Sequence, residues 1–338
     1  MDHSDMSIKT VRITVGILSL ALFGQTAFWL LYDIADRGVA GAWSVWASGS
    51  GTGLSATSSL DLGLGFLQLA AGWATLIKAR TAGGLLLASC ATTLLFRLPA
   101  VWYVLLDSPS DPWFGDAKGP SLGAVGGTAI GAVATALVLT ALLFLVRHLE
   151  NEASSPYILR GAGPRPVKVT ATTSGVLLGV LNIFYIGRNV NTAFQVGPNA
   201  LAHLLAGKGA VRSELGVASA WQWASLTVLC GLGMLFAFRR RPVAKGFSLG
   251  LALFMVPPDV AEVSDYVTTG VLFKVSVDTA QTFLELLGSA AVIALLAAEA
   301  AHNRRDRRPE DPPGAPAPAP LVGPIPADAR LTNMADSG

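Results

Sequence analysis

Apolar runs of about 20 residues recur along the chain, divided by shorter stretches that hold most of its charge and proline. At 1.5 Å of rise per residue, a helical run of that length crosses the ~30 Å hydrocarbon layer of a bilayer. Eight spans are predicted, at 11–32, 60–77, 82–106, 122–146, 169–187, 217–238, 243–263 and 278–301. Pro99 lies within the third, and Pro257-Pro258 interrupts the seventh. Tandem proline removes two backbone donors and disfavours helix at the preceding residue, so a break or kink is expected near Val256. The fold class expected is an all-α integral membrane protein with about eight transmembrane helices. The first run exceeds the ~7–15 apolar residues of a signal peptide, and a similar segment recurs mid-chain, so it is expected to be a retained span.

Two of the polar stretches are longer than turns. Residues 33–59, rich in Gly and Ser around Trp43 and Trp46, are expected to form a loop, and within 189–216 a short helix is predicted at 198–206. In the fourth span Gly123, Gly127, Gly131 and Thr135 recur every four residues, a spacing that lets a neighbouring helix approach closely.

Composition agrees with the spans: 52% of the residues are hydrophobic and only 14% charged, against about 25% charged in a soluble domain. Net charge is only +2, but the signs are segregated. With the N-terminus inside, seventeen of the 24 Lys and Arg fall on inner segments, among them Lys78, Arg80, Arg147, Arg239, Arg240, Arg241 and Lys245. Outer segments hold Arg37, Lys118, Arg188, Lys208, Arg212 and Lys274, and Arg97 is left inside a span. Because cytoplasmic loops collect basic residues, both termini are expected at the cytoplasmic face. High Ala, Gly and Arg with few Lys suggests a GC-rich bacterial genome, hence a bacterial plasma membrane.

Short motifs repeat across the two halves. Val11-Arg12-Ile13-Thr14 answers Val167-Lys168-Val169-Thr170, and Leu95-Phe96-Arg97-Leu98-Pro99-Ala100 answers Leu253-Phe254-Met255-Val256-Pro257-Pro258. Lys78-Ala79-Arg80 answers Arg239-Arg240-Arg241, and Asp107 and Asp265 stand in register. Two four-helix repeats in the same orientation are therefore expected, at 1–147 and 167–303, related by an axis along the membrane normal. Residues 148–166, with Pro156, Pro164 and Pro166, would link them on the cytoplasmic side, and the Pro/Ala-rich tail 304–338 is expected to be disordered.

Candidate chemistry is confined to ionisable residues inside spans, which cost about 2.5–3.5 kcal/mol each unless partnered or wet. These are Asp61, Arg97, Asp259, Glu262 and Glu285. Glu262 lies three residues beyond Asp259, on the same helical face. An ion pair of Arg97 with Asp259 or Glu262 is expected, next to the helix breaks at Pro99, Pro257 and Pro258. Broken helix at membrane depth needs a protein or water cover, so a polar cavity is expected in the outer half of the bundle.

Cys90 and Cys230 sit in apolar runs and are read as buried small residues. The chain has no Gly-rich phosphate loop, paired-cysteine redox motif or Gly-x-Ser-x-Gly elbow, and its four histidines are scattered. No cofactor, metal or nucleic-acid partner is expected, and nothing in the residues fixes an oligomeric state or a reaction. The partners expected are the lipid bilayer and a small-molecule or lipophilic substrate. The leading functional expectation is small-molecule transport or binding through the polar cavity. The alternatives are a membrane-embedded isomerase, cyclase or transferase using carboxylates on a lipophilic substrate, and a non-catalytic assembly or accessory protein.

Overall fold

The computed structural model describes residues 3–48, 54–106, 122–152, 168–206, 213–274 and 276–305. Nine helices follow in order: α1 (His3–Ser48), α2 (Ser59–Leu76), α3 (Ala82–Leu106), α4 (Leu122–Glu152), α5 (Lys168–Val196), α6 (Pro198–Leu205), α7 (Ser219–Phe238), α8 (Ala244–Thr268) and α9 (Val277–Arg305). Among the described residues the one departure from helix and turn is an isolated parallel bridge between Ser55 and Ser213. The expected linker beyond Glu152, the tail beyond Arg305 and the register of Asp107 with Asp265 lie outside the described residues.

Seven helices, all but α2 and the short α6, are long and apolar enough to cross a membrane. Their outward faces are apolar: Phe28, Leu31, Phe144, Ile183, Phe194 and Leu287 are exposed, while Asp61, Gln68 and Arg97 are buried. Polar groups inside and apolar groups outside is the arrangement that lipid imposes. The chain is an all-α polytopic membrane protein.

The 18-residue α2 carries Asp61 and Gln68 in its interior and packs against α1, α3 and α8, which surround it. Gln68 is satisfied on both ends of its amide: Thr26 Oγ1 donates to Oε1 at 2.9 Å, and Nε2 donates to Thr93 Oγ1 at 3.1 Å. Polar residues at the centre of a bundle are stable when every donor and acceptor is paired in this way.

Three predicted boundaries move. The expected loop 33–59 is helical as far as Ser48, with a change of direction at Gly38, whose φ of 70° suits glycine. Beyond it Ala42, Val45 and Trp46 bury one face at helical spacing, which is enough to keep the segment folded. α5 runs on to Val196, so Arg188 belongs to a helix, and α4 continues through Glu152. The short helix expected at 198–206 is α6.

The helix breaks expected at Pro99, Pro257 and Pro258 do not occur: α3 and α8 each run through their prolines. Proline frees the carbonyl four residues earlier, and neighbouring helices accommodate the freed groups. Trp221 Nε1 of α7 donates to Leu95 O at 2.7 Å, the carbonyl that Pro99 releases. Pro258 releases Phe254 O, which turns towards Gly63 of α2. A Cβ on Gly63 would stand 2.1 Å from that oxygen, so only glycine admits the approach.

Similar turns follow α2 and α7. After α2 the chain reverses through Lys78 (φ 58°), and after α7 through Arg240 (φ 48°). Each turn is closed by a six-residue hydrogen bond, Ala79 N to Ala74 O at 2.8 Å and Arg241 N to Phe236 O at 2.9 Å. The helices that follow, α3 and α8, cross in close contact, and a Cβ on Gly84 or on Gly246 would collide with the other helix's backbone. Further along the same crossing, the rings of Phe96 and Phe254 meet edge to face at 5.2 Å.

The glycine stripe of α4 behaves otherwise than expected. A Cβ on Gly123 or Gly127 would meet nothing within 4 Å, and only at Gly131 does another helix come near, with Gln25 Nε2 of α1 at 3.6 Å.

Candidate functional site

Polar side chains gather at the end of the bundle where α2, α7 and α9 begin. Two constructions stand there side by side: a hydrogen-bonded lock and an acidic cavity.

The lock holds the two segments that lead into α2 and α7. Glu214 N donates to Ser55 O at 2.8 Å and Leu215 N to Ala56 O at 3.0 Å, giving the parallel bridge. Asp33, buried on α1, accepts from Ala56 N at 3.0 Å, from Thr57 N at 2.7 Å and from the Thr57 hydroxyl. Trp46 Nε1 donates to the same threonine oxygen at 3.1 Å. Asp61 sits at the third position of α2 and closes a capping box with Ser58, whose N and Oγ donate to its Oδ2 at 2.7 and 2.9 Å. Its other oxygen takes the guanidinium of Arg97 at 2.5 Å, and Arg97 donates a second bond to Leu215 O at 3.1 Å.

Arg97 therefore pairs with Asp61, not with Asp259 or Glu262 as the repeat suggested. The start of α2 lies against the middle of α3, so Asp61 is the nearer acid, and the Leu215 carbonyl fills a second donor. Asp61 and Arg97 are 2% and 4% exposed, which makes this a desolvated pair with both oxygens of the acid in use. Asp61 is consequently a structural residue and not a free acid.

The cavity has a volume of about 530 Å³ and lies between α2, α7, α8 and α9. Carboxyl groups dominate its polar lining. On α8, Asp259, Glu262 and Tyr266 fall at i, i+3 and i+7; on α9, Asp278, Gln281, Thr282 and Glu285 fall at i, i+3, i+4 and i+7, so the two helices present polar faces to each other. The antiparallel pairing is regular. Thr282 Oγ1 donates to Glu262 Oε2 at 2.9 Å, and the Tyr266 hydroxyl meets Thr282 Oγ1 at 3.3 Å. Deeper in, Asp259 faces Glu285, and Gln281 Nε2 donates to Glu285 Oε1 at 2.5 Å.

Depth grades the acids. Asp278 is exposed, Glu262 and Asp265 are half-buried, and Asp259 and Glu285 form the floor at 2% and 8% exposure. Asp278 to Glu285 is seven residues, or roughly 10 Å along the helix. One oxygen of Asp259, Oδ2, is buried with no hydrogen-bond partner, and so is Gln281 Oε1. Arg188 of α5 is the single basic side chain among the lining residues. Its guanidinium pairs with Asp278 and lies 4.6 Å from the centre of the Trp223 ring.

Of the five ionisable residues singled out in the sequence, Asp259, Glu262 and Glu285 meet in this cavity, and Asp61 and Arg97 form the neighbouring lock. Sequence reasoning passed over Arg188, Trp223, Tyr266, Gln281 and Thr282. The signal for the last three was present, since polar residues repeat at helical spacing on both sides of the short connection between α8 and α9. Among the described residues no cluster of three or more His, Cys, Asp or Glu is arranged to hold a metal ion. Comparison with known protein families, curated proteins and solved structures finds no match to this chain.

Proposed function

We propose that this protein binds a small molecule from the extracytoplasmic side of a bacterial plasma membrane and carries it across or into the bilayer. The cavity carries the reading: it falls within the ~300–1,000 Å³ usual for small-ligand sites and ends on the buried acid pair Asp259 and Glu285, with no N–H or hydroxyl donor on Asp259 Oδ2. Buried polar atoms without partners are costly and rare, and a ligand group is one way to supply the missing bond.

Orientation follows from charge. The turns at Lys78 and Arg240 carry the basic residues expected at the cytoplasmic face and lie at the opposite end from the cavity. Residues 1–147 and 167–303 form two arms of common origin in this proposal. The matched turns, the Ser55 and Ser213 bridge and the contact of Phe96 with Phe254 support that kinship, since the same number of residues separates Ser55 from Ser213 as Phe96 from Phe254. Equivalent residues touch one another only near a two-fold axis, and parallel pairing requires that axis to run along the strands.

Purified full-length protein in proteoliposomes should move at least one compound from a metabolite panel of mixed charge. Asp259→Asn and Glu285→Gln should lower that flux about tenfold or more while the protein inserts normally. Absence of flux, together with absence of any thermal stabilisation by the panel, would overturn the proposal.

A further inference from the structure

We infer that the cavity takes an organic cation, a small amine or quaternary ammonium whose charged centre lies between Asp259 and Glu285. This rests on the small-molecule reading above and adds the chemical class. Three independent observations carry it.

The first is the balance of charge. Five carboxyl groups line the cavity, against the one guanidinium of Arg188, which Asp278 already holds. An anionic ligand would enter against four further acids. A cation would relieve the mutual repulsion of Asp259 and Glu285, which face each other on the floor when both are ionised.

The second is the unpartnered Oδ2 of Asp259, which is buried at the deep end of the cavity. Gln281 Oε1 beside it also lacks a donor, while Gln281 Nε2 serves Glu285 and Thr282 serves Glu262; no N–H or hydroxyl donor reaches Asp259 Oδ2. An ammonium N–H, or the positive face of a quaternary methyl group, supplies what that oxygen lacks.

The third is the nature of the remaining wall. Trp46, Trp223 and Tyr266 line the same space, and aromatic rings attract cations through their quadrupole. Trp223 already does so for Arg188, at 4.6 Å. The volume accommodates an organic ion and leaves a bare metal ion without enough ligands, in keeping with the absence of a metal-holding cluster among the described residues.

The test uses full-length protein in detergent and a matched pair of ligands, benzyltrimethylammonium and its uncharged isostere neopentylbenzene, with benzylsulfonate as the anion. Binding is read from tryptophan fluorescence, since two tryptophans line the cavity, and from thermal midpoint. The cation should bind saturably and about tenfold or more tighter than the isostere. Asp259→Asn should weaken it by about tenfold, and Phe194→Ala, on the outward face of α5, should not. Equal or tighter binding of the isostere or of benzylsulfonate overturns the cation inference and leaves the small-molecule reading standing. Saturable binding of none of a series of ammonium ions, from tetramethylammonium to benzyltriethylammonium, also overturns it. The mixed-charge panel then decides separately whether the small-molecule reading survives. A cation that binds wild type and Asp259→Asn equally shows a site elsewhere, and overturns the assignment to this cavity.

Discussion

Arg97 shows how a single charge is made tolerable at membrane depth. Its guanidinium has an acid on one side and a backbone carbonyl on the other, and the acid is itself fixed by the first turn of α2. Breaking such a desolvated pair from one side strands the other charge, at a cost of about 3–5 kcal/mol, whereas removing both charges is often neutral. Arg97→Met and Asp61→Leu alone should each lower the thermal midpoint sharply in detergent, and the double substitution should recover most of the loss. A double variant as unstable as the singles would mean that the bond to Leu215 O, and not the ion pair, is what matters. The importance of Arg97 was legible from its place in an apolar run. Its partner was not, because the repeat matches the element that holds Arg97 with the one leading into Asp259 and Glu262, while packing brings up the N-terminus of α2 first.

Helices α3 and α8 remain continuous through their prolines, and in α3 another helix answers the freed carbonyl. Local rules for proline predict the loss of a hydrogen bond correctly, but the replacement comes from residues over a hundred positions away, such as Trp221 for Leu95. The hydrophobic runs gave the helices themselves to within a few residues. They failed where a helix continues past its apolar run, through tertiary burial at Ala42 to Trp46 and without it beyond Arg188. Gly63 is the point at which α2 and α8 come closest. Gly63→Ala should cost about 1–3 kcal/mol by overpacking, seen as a lower thermal midpoint. Gly127→Ala, where a Cβ meets nothing within 4 Å, should leave the midpoint unchanged or raise it. Equal midpoints for the two variants would contradict the close contact.

Orientation in the membrane can be read on the intact protein, because both native cysteines are buried, at 1% and 0% exposure, and form a silent background. A membrane-impermeant maleimide should label Thr269→Cys in intact cells and Arg240→Cys only after permeabilisation. The opposite pattern would invert the topology and place the cavity at the cytoplasmic face. The membrane-spanning character of the chain was visible in its apolar runs, while the cavity was visible only as an expectation of polarity near Asp259, since its second wall is assembled by α9.

The bridge between Ser55 and Ser213, reinforced by Arg97 on Leu215 O, has a mechanical consequence. Two backbone bonds and a charged one tie the entrances of α2 and α7 together, so these two helices cannot part at this end without rupturing all three. α9 is tied at this end by side chains alone, among them Asp278 to Arg188 of α5. Its backbone stands off from the other helices, and side chains such as Thr282 and Glu285 hold it across the acidic face. On the proposed function, the bridged segments would stay fixed while α9, held by side chains, moves to admit or release an occupant.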